Sequence, residues 1–169
     1  MKILFITALA FITLKSDAQI IVNNDINKFV GIWRWSSGND TVEITLQKQN
    51  YHNQFQTLCG WHKYVKNGIL IESSYQYIGR DINVDFSSND ADFKTTLNGS
   101  CYPSTPNNIF FTRFWDLSLH KNFNLFLNML PGSTTQATWK LRQPRGVYVG
   151  PPGKNGLFTL PRDLIMTKI

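Results

Sequence analysis

Histidine and cysteine are scarce in this chain: three and two residues out of 169. His52, His62 and His120 stand far apart, and none has a second histidine two or four positions away. No metal site is therefore built into a single strand or helix; one would have to be assembled by the fold. Cys59 and Cys101 do not form a C-x-x-C pair, which removes the grounds for a redox or zinc motif. A G-x-S-x-G elbow is absent, and neither cysteine has a sequence-local histidine to activate it. The one Gly/Pro cluster, Gly150-Pro151-Pro152-Gly153, places prolines where a phosphate cradle needs N–H donors. Acidic residues number only 11. Asp40, Asp90 and Asp92 fall in evident loops, and Glu43 and Glu72 are read as strand residues facing polar neighbours. No catalytic, metal or cofactor motif emerges, and the chain is read as a non-enzyme.

Charge of either sign is thin as well. Lys and Arg total 17, for a net charge of +6. The basic residues are spread singly from Lys28 to Lys168, so no block marks a nucleic-acid surface and no nucleic-acid partner is expected. Long apolar runs are missing, with one exception. Ile3 to Leu14 is apolar apart from Thr7 and Thr13. At about a dozen residues it falls short of the ~20 needed to span a bilayer as a helix. Met1-Lys2 precedes it, and Ser16-Asp17-Ala18 follows with small residues at the −3 and −1 positions. This order predicts a signal peptide over 1–18 and a single mature domain over 19–169, hence an exported product, periplasmic or secreted. No cysteine lies at the cleavage point to carry a lipid anchor, and no transmembrane segment is expected in the mature chain. In an oxidising compartment Cys59 and Cys101 are candidates for one disulfide closing a loop of ~40 residues, worth ~3–4 kcal/mol. Two separate buried thiols fit the same sequence, because spacing does not set the Cα separation.

Aromatic residues are plentiful: 12 Phe, 6 Tyr and 5 Trp. So is period-two patterning. Val42, Ile44 and Leu46 alternate with Thr41, Glu43, Thr45 and Gln47, as on a half-buried strand. Strands are also read at Phe29–Trp35, Leu58–Val65, Ile69–Ile78, Phe93–Leu97, Ser100–Tyr102, Ile109–Trp115, Phe123–Leu130, Gln136–Arg142 and Leu164–Ile169. Lys66-Asn67-Gly68 is a hairpin cue, since both central residues of a type I′ turn need positive φ. At most one short helical turn fits Asn24–Phe29, and Pro144–Pro161 reads as a long loop. Eight to ten short strands in about 150 residues predict an all-β fold, an up-and-down antiparallel β-barrel that removes exposed edges by closing. Such a barrel either holds a small apolar ligand among its aromatics or fills its own interior with them. His62, between Trp61 and Tyr64, is the residue to watch. It is either a strand residue hydrogen-bonded at the barrel wall or, beside a carboxylate, part of a fold-assembled site.

The segment Phe29-Val30-Gly31-Ile32-Trp33-Arg34-Trp35 resembles the glycine-x-tryptophan start of lipocalin-like (calycin) barrels. The resemblance gives Gly31 and Trp33 structural roles at the closed end, with a late-strand cation (Arg142, Arg162 or Lys168) lying over the tryptophan. More broadly, the pieces over Gly31–Gln47, Lys63–Gly68, Pro131–Leu141 and Thr159–Lys168 resemble an uncharacterised family of exported Bacteroidota proteins, a domain of unknown function. That likeness implies export and a calycin-like barrel and carries over no functional residue. Asp40-Thr41-Val42 fits the O-glycosylation pattern of such bacteria, and equally an ordinary turn-to-strand junction.

Overall fold

The structure, a computed structural model, describes residues 24–51, 55–78, 95–101, 104–145 and 157–169. The candidate leader, His52, Phe93 and Lys94 of the Phe93–Leu97 piece, Tyr102 and the middle of the Pro144–Pro161 loop lie outside these residues. A six-residue 3-10 helix, Asn24–Phe29, leads into nine strands: β1 (Gly31–Ser37), β2 (Asp40–Tyr51), β3 (Phe55–Lys66), β4 (Ile69–Ser73), β5 (Leu97–Cys101), β6 (Asn108–Asp116), β7 (Lys121–Met129), β8 (Gln136–Arg142) and β9 (Asp163–Lys168). The sheet runs β2-β1-β9-β8-β7-β6-β5-β3-β4, and β2 also pairs with β3. Eight strands thus close an antiparallel barrel compatible with a lipocalin-like one, and β4 hangs from β3 as a ninth.

Alternation explains the closure. Val42, Ile44 and Leu46 of β2, Ile109 and Phe111 of β6, Phe123, Leu125 and Leu127 of β7, and Ala137, Trp139 and Leu141 of β8 are all fully buried. Each of these side chains larger than Ala137 contributes roughly 1.5–3 kcal/mol of burial. Between them, the residues in the opposite phase carry charge and amide: Arg34 on β1 bonds to Glu43 on β2 at 2.7 Å, and Arg142 bonds to Asp163 at 2.6 Å, both pairs exposed. No helix among the described residues is long and apolar enough to cross a membrane.

One end of the barrel is closed by the 3-10 helix, whose Ile26 and Phe29 are fully buried. Trp33 lies beneath it and donates its Nε1–H to the Phe29 carbonyl at 2.8 Å. Of the three candidate cations, Lys168 is the one over the indole. Its Nζ stands 5.9 Å from the Trp33 ring centroid and donates to the Lys28 carbonyl at 3.0 Å. Arg142 pairs with Asp163, and Arg162 covers the Phe158 ring instead. Gly31 is what admits Lys168. Its φ is +124°, and a Cβ there would come within 3.1 Å of Lys168 Cε.

The turns follow their chemistry. Asn67 and Gly68 have φ of 52° and 78°, as the Asn-Gly cue requires. Asn98-Gly99, flanked in the sequence by two strand pieces, instead lies inside one continuous strand, β5, where the pairing with β6 shifts register. Gly99 is tolerated there because Phe111 Cα would lie 2.7 Å from any Cβ added to it. β4 stops at Ser73, short of the expected Ile78, and gives way to a 3-10 turn at Tyr75–Tyr77.

Of the two readings for Cys59 and Cys101, the structure has two separate buried thiols. Cys59 pairs across the sheet with Gln47 and Asn98 on the outer face, while Cys101 belongs to the interior cluster. Side chains on opposite faces of a sheet cannot bridge. Burial pushes the Cys59 thiol up to about 12, and burial also raises Cys101.

Two outcomes are expected. Gly31→Ala should lower stability by about 1–3 kcal/mol in urea unfolding, from positive-φ strain and the lost path of Lys168. A thiol reagent at pH 8 should label neither cysteine in the folded protein and both after unfolding, read by mass spectrometry.

Candidate functional site

β3 creates a competition for hydrogen-bonding edges. Along one edge it pairs with β2 over its whole length, Thr41↔Val65 to Tyr51↔Phe55. Its other edge is divided: Leu58, Cys59 and Gly60 pair with β5, and Lys63 to Lys66 pair with β4. His62 lies at the division. It is the register partner of Ile44, so its side chain faces the interior, and it is fully buried.

The polar groups around it close the gap between β4 and β5. The backbone N–H of His62 donates to Ser74 Oγ at 2.8 Å, and Ser74 N–H returns a bond to the His62 carbonyl at 2.8 Å. Nδ1 is 2.9 Å from Thr96 Oγ1, which is itself 2.9 Å from Ser74 Oγ. Nε2 is 2.7 Å from Glu72 Oε1. The other carboxylate oxygen, Oε2, accepts the Ser118 N–H at 2.9 Å and the Ser118 hydroxyl at 2.6 Å. The imidazole ring packs 4.8 Å from Phe114, which meets Trp139 edge-on at 5.4 Å.

A second buried carboxylate sits at the end of β6. Asp116 is fully buried; Oδ1 accepts the Leu119 N–H at 2.8 Å and the Thr159 hydroxyl at 2.9 Å, and Oδ2 accepts the Thr159 N–H at 3.1 Å. Glu72 and Asp116 therefore hold the same turn, Leu117–His120, from two sides. Each ties it to a distant segment: Glu72 to the β3 fork, Asp116 to the strap Leu157–Arg162 that enters β9. Leu160 of the strap is buried, Trp139 Nε1 donates to Pro161 O at 3.0 Å, and Phe158 stacks on Phe123 at 4.6 Å.

The electrostatics separate the two acids. Burial pushes the Glu72 carboxyl upward, but the hydrogen bonds and charge of His62, with both Ser118 donors, outweigh it and hold Glu72 below the ordinary carboxylate range. Burial, then the charge of Glu72, raises Asp116, against the bonds from Leu119 and Thr159. A carboxylate held below its ordinary range is a weaker base. Ser118, exposed and donating to it through both N–H and hydroxyl, caps Glu72. His62 has both ring nitrogens engaged by protein groups and no exposed surface, so nothing about it can meet a substrate. Among the described residues, no three His, Cys, Asp or Glu side chains converge as metal ligands.

Measured against the sequence, His62 does stand beside a carboxylate. Glu72 faces inward to it, with Ser118 as its other polar neighbour, because a bulge on β4 sets Tyr64 opposite Glu72 and Val65 opposite Leu70. Ser74, Thr96, Asp116 and Ser118 were not legible as site residues. Asp116-Leu117-Ser118, a carboxylate at the end of an apolar run followed by a hydroxyl, is the one local hint. His120 is exposed in its turn with φ of 50°. Thr41 shares a hydroxyl contact of 3.3 Å with Ser36 at the exposed β1–β2 hairpin.

The family described as a family of unknown function (DUF6705) matches residues 1–169. No curated protein and no solved structure matches.

Removing the anionic member of the buried pair should be costly. Glu72→Gln is expected to lose roughly 2–4 kcal/mol in urea unfolding at pH 7, because His62 and Ser118 keep donors that an amide serves poorly. Glu72 has a folded-state value below its unfolded one. Its contribution is present above the unfolded value and disappears as pH falls through the folded value. The gap between wild type and Glu72→Gln should therefore narrow below the ordinary carboxylate range, which repeating the unfolding curves at falling pH checks.

Proposed function

The chain belongs to the DUF6705 family, whose function is unknown, and we propose that it is an exported interaction module, a filled β-barrel that meets a protein partner through the β4 side of its surface. Export is supported by the order of Met1-Lys2, the apolar run Ile3–Leu14 and Ser16-Asp17-Ala18. The observation that carries the surface reading is β4 itself. Ile69, Leu70 and Ile71 are 66%, 56% and 41% exposed on the terminal strand of the sheet. Sheet edges are ordinarily blunted with charge or proline, and this one carries three adjacent aliphatics. Glu72, the only charge on β4, is turned inward.

A hollow carrier for a small apolar ligand has less support. Its grounds are the aromatic wealth and the closed Trp33 end. Against them, Phe111, Phe114, Phe123 and Trp139 are fully buried at the centre of the barrel. Full burial leaves no gap beside these rings for a ligand. Catalysis at His62 is likewise unsupported, since both ring nitrogens are taken.

A photo-crosslinking residue at position 70, expressed in the native host, tests the surface reading against one at position 34 on the polar side of the barrel. Position 70 should give a discrete protein adduct that position 34 does not, and Ile69→Lys with Ile71→Lys should abolish it without lowering the melting temperature. No adduct from position 70 would sink the reading. So would a native mass spectrum of the purified protein showing a retained apolar small molecule.

A further inference from the structure

The hydroxyls around His62 can be counted proton by proton, and the count closes in two different ways. In the first, the imidazole is neutral. Its Nε2–H donates to Glu72 Oε1, the Thr96 hydroxyl donates to Nδ1, and the Ser74 hydroxyl donates to Thr96 Oγ1. In the second, the ring carries two N–H groups. Nδ1–H then donates to Thr96 Oγ1, the Thr96 hydroxyl turns to Ser74 Oγ, and the Ser74 hydroxyl turns to the His62 carbonyl, 3.2 Å away. In both, Ser74 Oγ accepts the His62 backbone N–H. Both arrangements leave every donor with an acceptor and differ by one proton on Nδ1 and two hydroxyl rotations.

We propose that His62 is a proton-binding site built into the folded barrel: the ring takes a proton from water and returns it to water during brief openings of the fork, and the rotation of the Thr96 and Ser74 hydroxyls keeps every donor paired in both forms. Burying an ionisable ring with a single donor arrangement would make uptake of a proton break the fold, since one N–H would face nothing. The Thr96–Ser74 relay removes that obstacle. Of the charged groups packed against the site among the described residues, Glu72 from β4 is in contact and favours the gained proton. Asp116 from the end of β6 lies close enough to feel Glu72's charge. β2 presents Ile44 and β6 presents Phe114, both uncharged. Proton uptake turns the His62–Glu72 hydrogen bond into an ion pair and so tightens the hold of β3 on β4. It is a device of the fold and does not depend on what the β4 surface meets.

The test is the protonation of the His62 ring nitrogens in the full-length chain as expressed, followed by long-range ¹H–¹⁵N correlation across the whole pH range in which the fold persists. The ring should pass from one N–H, on Nε2, to two, while amide peaks outside the fork stay in place and β4 amides exchange more slowly in the doubly protonated form. Thr96→Val, which leaves Nδ1–H without an acceptor, should weaken proton binding by roughly tenfold or more, and Thr96→Ser should restore it. A ring with one protonation state at every pH overturns the proposal, as does a change of state that coincides with global unfolding. Thr96→Ser behaving like Thr96→Val would overturn it too.

Discussion

A β-strand has two hydrogen-bonding edges, and β3 must serve three neighbours. β2 takes one edge whole, and β4 and β5 divide the other. Wherever a ladder divides, backbone groups and facing side chains at the branch lose their regular partners, and burial makes that loss costly. The branch here falls at His62, in the barrel wall, facing inward. Ser74 and Thr96 each bond to both the backbone and the side-chain network at the point where the ladder would have continued. Glu72 meets the imidazole from β4, and Ser118 caps Glu72 from the next turn along. The polar cluster is thus the consequence of the topology, placed where the sheet cannot satisfy itself.

The two ends of the barrel solve the same problem with opposite chemistry. At the Trp33 end an indole donates to a helix carbonyl, and a lysine passes over a glycine to cover it. At the fork end two buried carboxylates gather N–H and O–H donors from a turn, a strand and the strap that leads into β9. Buried charges of this kind do not in general stabilise a fold more than a well-packed apolar core would. What they do here is select one arrangement. The Leu117–His120 turn and the strap hold donors that Glu72 and Asp116 receive, and β4 supplies Glu72 as the acceptor for His62 and Ser118, so each segment is tied to one place. Phe123–Phe158 stacking, with Lys121 and Arg162 on the outer sides of the two rings, then seals the strap against the barrel.

Aromatic rings pack the centre of the barrel and the 3-10 helix closes its Trp33 end, while the exposed aliphatics gather on β4. Among the described residues, β4 is the one strand outside the closed ring. It escapes because β5, and not β4, continues the barrel. Its bulge turns Glu72 inward and leaves the aliphatics at its start outside. The residue that anchors β4 and the residues it exposes are therefore two sides of one bend in the chain.

Much of the architecture follows from local chemistry. Period two in Thr41–Gln47 and Phe123–Met129, the Asn67-Gly68 turn and the Gly31-x-Trp33 start are visible without any contact, because alternation, positive φ and close approach are properties of a residue and its immediate neighbours. The leader pattern of residues 1–18 is likewise local, and lies outside the described residues. Asn98-Gly99 shows where that logic fails: it has the form of a turn, yet pairing with β3 and β6 draws it into a strand. Which of Arg142, Arg162 and Lys168 covers Trp33, whether Cys59 and Cys101 meet, and whether Glu72 points in or out were decided only by register. A one-residue bulge reverses a side chain's face, and no local pattern records it. Apart from His62, the site belongs to this second category, because Glu72, Thr96, Asp116 and Ser118 reach their places through pairings between strands that are distant in the chain.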